Sequence, residues 1–285
     1  MTTATDLRPL MLSIAYRMVG SYSEAEDIVQ EAYLRLHQAE EEVIAPKPYL
    51  STVTTRLSID HLRSARVRRE QYAGTWLPEP VFADPAPDAA AQAETADTLS
   101  LALLVVLETL SPVERAVFLL REVFAYGYDE IAEIVDRSEA NCRQLAVRAR
   151  RHVDERKPRF DPPLERRDEL TRRFLAAVEE GETDALVGML AEDVAFYGDG
   201  GGKAPAIGAP LHGREKVLRF LLGISRLAAR QGLRLEPATV NGQPGARGYD
   251  AGGTLIAVMG FDIVDGSIVA FRSIVNPDKL AHLRG

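Results

Sequence analysis

The stretch that limits this chain most is Leu110–Val153, LSPVERAVFLLREVFAYGYDEIAEIVDRSEANCRQLAVRARRHV. Ser111-Pro112 with Glu114 predicts a capped helix start, a serine cap and its return partner flanking a proline at the first helical position. Val113, Val117, Leu120, Val123 and Phe124 follow at the spacing of one apolar helical face, and Tyr126-Gly127 closes it. A short helix over Tyr128–Val135 turns Ile131, Ala132 and Ile134 inward, Asp136-Arg137 makes a turn, and Ser138 caps a last helix running to about Val153. That helix keeps Cys142, Leu145, Val147 and Ala149 for packing and presents Asn141, Arg143, Gln144, Arg148, Arg150 and Arg151. This is the pattern of a helix-turn-helix whose second helix enters the major groove. Early residues (Glu139, Asn141, Arg143, Gln144) would meet base edges, and the later arginines would meet phosphates. The plainer alternative is an amphipathic surface helix with solvated arginines.

Composition narrows the partners. With 285 residues the chain fits two or three domains rather than one helical bundle. A net charge of −8 argues against coating DNA by bulk electrostatics. The cations are nevertheless clustered, at Arg56, Arg63, Arg66, Arg68 and Arg69 and again at Arg143, Arg148, Arg150, Arg151, Arg156, Lys157 and Arg159. The opening MTTATDLRPLML lacks a basic segment followed by an apolar core, and no apolar run is long enough for a membrane, so a cytoplasmic protein is expected. A single cysteine, Cys142, leaves no internal disulfide and no cysteine-rich zinc site. No metal or cofactor is expected.

Upstream, Leu7–Met18 reads as a helix closed by Val19-Gly20. Ser23 and Glu26 suggest a capping box for a helix through Gln38, with Ala25, Ile28, Val29, Ala32, Leu34 and Leu36 for a core and Glu24, Asp27, Gln30, Glu31 and Arg35 exposed. After a loop over Glu40–Pro48, a helix from Tyr49 to Glu70 becomes basic toward its end. Tyr49, Leu50, Val53, Leu57, Ile59 and Leu62 would pack, while Thr54, Thr55, Arg56, Ser58 and His61 offer the charge and hydroxyls that single-stranded DNA requires. QYAGTWLPEPVFADPAPDAAAQAE then reads as an acidic, proline-rich linker, in which Trp76 is expected to be a buried anchor.

Together, DIVQEAYLRL, IDHLRSARVRRE, the acidic linker and LSPVERAVFLLREVF resemble, in order, regions two and four of sigma-70 superfamily initiation factors of the extracytoplasmic-function (ECF) type. The resemblance covers roughly Thr2–Val153. It implies core RNA polymerase and promoter DNA as partners and the direction of promoter-specific transcription initiation as the role. Asp27, Ile28, Gln30 and Glu31 would face core RNA polymerase. Thr54, Thr55, Arg56, His61, Arg63 and Arg66 would read the melted minus-ten element. Ser138, Glu139, Asn141, Arg143, Gln144, Arg148 and Arg151 would read the minus-thirty-five duplex. Thr55-Arg56 stands where many members carry Arg-Asn, so the promoter sequence does not transfer from them. The implied domains are 1–72, a linker over 73–95, and 96–157.

A further domain is expected over 164–285. Helices at Arg166–Gly181, Asp184–Leu190 and Arg214–Arg230, the last with Val217, Phe220, Leu221, Ile224 and Leu227 inward, precede strands at Leu233–Val240, Gly253–Ile263 and Ser267–Ile274. A shorter strand lies at Val194–Tyr197, and Asn241-Gly242 and Asp265-Gly266 supply turns. The whole is multidomain: two all-α DNA-binding domains, then an α+β cone with a curved antiparallel sheet that resembles the SnoaL-like, or NTF2-like, domain. Three motifs resemble the SigJ-like group of ECF factors that carry this extension: Trp76-Leu77-Pro78-Glu79-Pro80, Asp199-Gly200-Gly201-Gly202-Lys203 and Asn276-Pro277-Asp278-Lys279-Leu280. In that group the fused domain is taken to regulate the factor in cis, and Lys203 could pair with an acid of the linker or the first domain. A small molecule in the cone is a further partner class. Catalysis is not expected, although Asp193, Asp199, His212 and Tyr197 are the groups that would serve it. From a different class, the chain would be a ligand-responsive helix-turn-helix regulator that never joins polymerase.

Overall fold

The computed structural model describes residues 4–39, 43–82, 99–156 and 164–284. These form two compact units. The first is helical and holds residues 4–39, 43–71, 99 and 103–156; the second holds residues 72–82, 100–102 and 164–284. The C-terminal unit is therefore discontinuous: the WLPEP segment, expected as linker, folds with it.

In the helical unit α1 (Arg8–Val19) is buried from Met11 to Val19 and ends on Gly20, whose positive φ suits glycine and whose N–H returns to Tyr16. Helix α2 (Tyr22–His37) is capped by Ser21, which accepts from the Glu24 N–H at 3.2 Å, so it begins just ahead of the expected Ser23 box. Helix α3 (Pro46–Glu70) also starts early, because proline in a first turn costs no hydrogen bond. Helix α4 (Leu101–Leu107), whose first two residues belong to the second unit, and α5 (Pro112–Phe118) follow, the latter with the expected Ser111/Glu114 box. The expected continuation of α5 widens instead into a π-turn over Leu119–Val123, where the Phe124 N–H reaches the Leu119 carbonyl at 3.1 Å. Helix α6 (Tyr128–Val135) ends on left-handed Asp136, and Ser138 caps α7 (Glu139–Asp154). Two residues expected in this unit's core are exposed, Leu34 at 48% and Val147 at 68%. Each lies two residues, about 200° of rotation, beyond a buried neighbour (Ala32, Leu145) and so points away from the core.

The second unit is a six-stranded sheet in the order β2-β1-β6-β5-β4-β3, with β1 (Leu190–Asp199), β2 (Leu211–His212), β3 (Arg234–Val240), β4 (Gln243–Tyr249), β5 (Leu255–Val264) and β6 (Ser267–Ile274). It is mixed rather than antiparallel throughout, since β1 runs parallel to β6. Strand β4, QPGARGY, carries no apolar alternation and was not expected. The Asn241-Gly242 and Asp265-Gly266 turns hold positive φ at both residues, the geometry that matches strand twist in two-residue hairpins. Helices α8 (Leu164–Glu180), α9 (Thr183–Met189) and α10 (Arg214–Gln231) contribute to a core with one sheet face. There Phe174, Phe196, Phe220, Phe261 and Phe271 pack with neighbouring ring centres 4.8–5.9 Å apart. Alternation places Tyr197, Asp199, Asp262 and Arg272 on the other face. On α10 Val217 and Leu221 are buried as expected, but Ile224 at 41% and Leu227 at 52%, also expected inward, are exposed.

Candidate nucleic-acid interface

Helix α7 offers an open cationic arc. Ser138 is occupied as the cap, accepting from the Asn141 N–H at 3.3 Å. Glu139, Arg143, Gln144, Arg148 and Arg151 are exposed, and Asn141 is half-buried. The arginines pair at the surface, Arg143 with Glu139 at 2.6 Å, Arg148 with Glu114 at 3.4 Å and Arg151 with Glu155 at 2.9 Å, and Arg143 also lies over the Tyr128 ring at 5.2 Å. Exposed pairs of this kind contribute little and exchange readily for a phosphate. Cys142 on the opposite side is buried, and desolvation pushes its thiol up, which suits packing rather than redox chemistry.

Helix α3 differs. Thr54 and Thr55, expected on the reading face, are fully buried, and neither hydroxyl has a hydrogen-bond partner among the described residues. Thr55 lies one turn after Ser51, whose hydroxyl is 2.6 Å from the Tyr126 hydroxyl, so it shares the side that meets α5 and α6. Thr54 lies two turns before His61, whose Nε2 is 2.9 Å from the Glu24 carboxylate, so it shares the side toward α2. Arg56 donates from Nε to the Ile134 carbonyl at 2.9 Å and from Nη2 to the Glu133 carbonyl at 2.8 Å. Arg63 is exposed and pairs with Asp60 at 3.1 Å; the Arg66 side chain lies outside the described residues. Arg115, buried in α5, adds another tie, donating to the Met18 carbonyl at 2.5 Å and to Glu108 at 2.7 Å. Desolvation lowers its guanidinium to about 9, which keeps it charged at neutral pH.

On α2, Asp27 and Gln30 are exposed, and Glu31 is half-buried beside Arg35 at 2.8 Å. Ile28, expected on the same surface, is only 7% exposed and packs inward with Val29 and Ala32. The exposed stripe continues instead to Leu34, one heptad after Asp27. That spacing was available in the sequence and would have found it.

In the C-terminal unit the three motifs meet at Asp199, which is fully buried at the end of β1. Its carboxylate accepts from the Tyr72 hydroxyl at 2.5 Å, the Leu77 N–H at 2.8 Å and the Lys279 ammonium at 2.7 Å. Lys279 also donates to the Leu77 carbonyl and lies over the rings of Trp76 (4.3 Å) and Tyr72 (4.9 Å). Asn276 donates to the Tyr72 hydroxyl at 2.9 Å, and burial together with Asp199 pushes that phenol well up. Gly201 has φ of 59°, and a Cβ there would strike the Asn276 amide. Gly200 is closed in by the Ala204 carbonyl, and Gly202 is also left-handed. Lys203 pairs with Asp278 at 2.5 Å, within the same unit, rather than with a linker acid. Pro78 and Glu79 are buried and Pro277 half-buried; His282 reaches the Pro80 carbonyl at 2.9 Å. Val81 exchanges two backbone-directed bonds with Asn241. Tyr72, Asn241 and His282 were not anticipated from the sequence.

The sequence model of Sigma-70 region 2 matches residues 4–68, and that of Sigma-70 region 4 matches residues 100–153. The chain is 41% identical to the ECF RNA polymerase sigma factor SigJ of Mycobacterium tuberculosis, over 96% of this chain and 90% of that one. It belongs to the ECF sigma factors. The probable ECF sigma factor SigI of the same organism is 33% identical over 97% of this chain and 93% of its own length. The crystal structure of M. tuberculosis SigJ matches this sigma factor with a TM-score of 0.76 at 38% identity, covering 96% of each chain.

Within this sigma factor the groups weighed for catalysis do not converge. Asp193 is exposed, Asp199 is spent on Lys279 and the WLPEP segment, and His212 and Tyr197 meet only edge to face at 6.2 Å between rings. Among the described residues no helix is long and apolar enough to cross a membrane, and no cluster of metal-ligating side chains occurs.

Proposed function

We propose that this sigma factor joins core RNA polymerase in the cytoplasm through the α2 stripe of Asp27, Gln30, Glu31 and Leu34. It reads the melted minus-ten element with Arg56, Arg63 and the basic end of α3, and the minus-thirty-five duplex with α7. Within α7, Glu139, Asn141, Arg143 and Gln144 take the base edges, and Arg148 and Arg151 the phosphates. The observation that carries this reading is the pairing, in one chain, of an exposed acidic-apolar helix stripe with an exposed arginine arc on a helix-turn-helix. A regulator that never meets polymerase has no use for the first. The C-terminal unit tunes the factor in cis by holding residues 72–82, the segment that follows α3, around Asp199. Five phenylalanine rings pack against one another between sheet and helices, and we assign the cone no small molecule and no catalysis of its own.

Run-off transcription from a promoter library with purified core polymerase tests the reading. The full chain is expected to give promoter-dependent transcripts, a chain ending after Val153 to give a different yield, and Asp27→Arg with Glu31→Arg to give none while still binding duplex DNA. Duplex binding with no initiation by any of them would leave the ligand-responsive regulator instead.

A further inference from the structure

Arg56 differs from His61 and Arg63, which pair with side chains of Glu24 and Asp60, in that its guanidinium is held by backbone carbonyls of the helix-turn-helix. Helix α6 ends at Val135, and the N–H groups of Asp136 and Arg137 both return to the Ala132 carbonyl. The next two carbonyls, Glu133 and Ile134, are the kind that a helix leaves unfilled at its C-terminus, where the dipole is negative. Arg56 fills both, one donor to each, in the two-pronged geometry that a guanidinium otherwise offers to a phosphate or a base edge.

We propose that the C-terminus of α6 is an internal stand-in for promoter DNA, so that Arg56 serves either the helix-turn-helix or the minus-ten strand but not both. Docking of α6 on α3 and reading of the minus-ten element then exclude each other, and the residue that makes the promoter contact also sets how often the surface opens. The balance of the contact fits a reversible latch. The Ser51–Tyr126 hydroxyl pair favours closure. The unpartnered Thr55 hydroxyl opposes it, since a buried donor without an acceptor carries its full desolvation cost. The inference rests on the initiation-factor reading only for the identity of the strand that competes.

The test uses the full chain without polymerase. Cysteines introduced at exposed Gln38 and Asp154 carry a fluorophore pair, and the distance distribution is measured alongside binding of a pool of random single-stranded oligonucleotides. Arg56→Gln and Tyr126→Phe should each shift the closed-to-open ratio by about tenfold. Their binding should part: Tyr126→Phe, which leaves the reading face intact, binds single strands more tightly, whereas Arg56→Gln opens without that gain. Unchanged distances in both variants overturn the latch, as does opening by Tyr126→Phe alone. Equal gains in binding by both overturn the shared use of Arg56. If the distances move as expected while run-off transcription fails, the latch stands and the initiation reading falls.

Discussion

Helices α3 and α7 are both amphipathic and both carry arginines at the positions assigned to DNA, yet α7 presents its polar arc to solvent while the middle of α3 is covered on two sides. The Arg148 and Arg151 side chains are 66% and 82% exposed, and Thr54 and Thr55 are at zero. The difference lies in what each helix does for its own unit. α7 packs along one side only, against α5 and α6, whereas α3 contacts α1 and α2 as well as α5 and α6. A duplex reader can stay open at rest. If α3 reads a single strand as proposed, its covered middle becomes available only when the unit rearranges.

The contrast can be broken most forcefully at Arg115. Arg115→Met leaves Glu108 without its buried partner and should cost about 3–5 kcal/mol in denaturant unfolding; a loss under about 1 kcal/mol would mean the closed side is held elsewhere. On the open side, Arg148→Ala with Arg151→Ala should weaken duplex binding about 100-fold and reduce the salt slope by about two, read by titration at several ionic strengths. Dependence of that affinity on Tyr126→Phe would show that α7 is not open at rest. A smaller effect of opposite sign is expected at Thr55→Val, which removes the orphan hydroxyl at nearly constant volume. It should raise stability by up to about 1 kcal/mol and the melting temperature by about 2–4 °C in calorimetry. Smallest is Glu139→Ala: its exposed pair with Arg143 should contribute no more than about 0.5 kcal/mol to stability.

What could be read from the sequence follows the range of the interaction. Caps and hairpin turns are local: Ser111 with Glu114, Ser138, Asn241-Gly242 and Asp265-Gly266 all stand where their side chains and φ requirements put them. Helical phase was legible for α7 as a whole but misplaced Leu34 and Val147, where two apolar residues two positions apart cannot share one face, and it also turned the exposed Ile224 and Leu227 inward. Ile28 was rightly given to the core by its phase and moved to the polymerase surface only by the resemblance. The burial of Thr54 and Thr55 was not legible, because polarity names an outward face only when one side of a helix has a neighbour. Nor was the parallel β1–β6 pair, which joins segments about seventy residues apart in order, nor β4, whose glycines and proline hide a strand behind the signature of a turn. At Asp199 the three motifs announced that something joined them. Which atoms met, and that Tyr72 and Leu77 rather than an acid of the linker were Asp199's partners, depended on the fold of the sheet.

The same carboxylate bears on how such a gene can be cut. A domain added to the end of a coding sequence ordinarily folds when excised, because its interior is its own. Here a piece beginning at 164 would take from Asp199 the Tyr72 hydroxyl and the Leu77 amide, and would strip Trp76 and Phe82 from Lys279 and Arg247. The unit is not excisable at one cut: residues 72–82, far ahead of it in the chain, supply a strip of its surface, and its boundary cannot be moved by recombination without carrying that strip along.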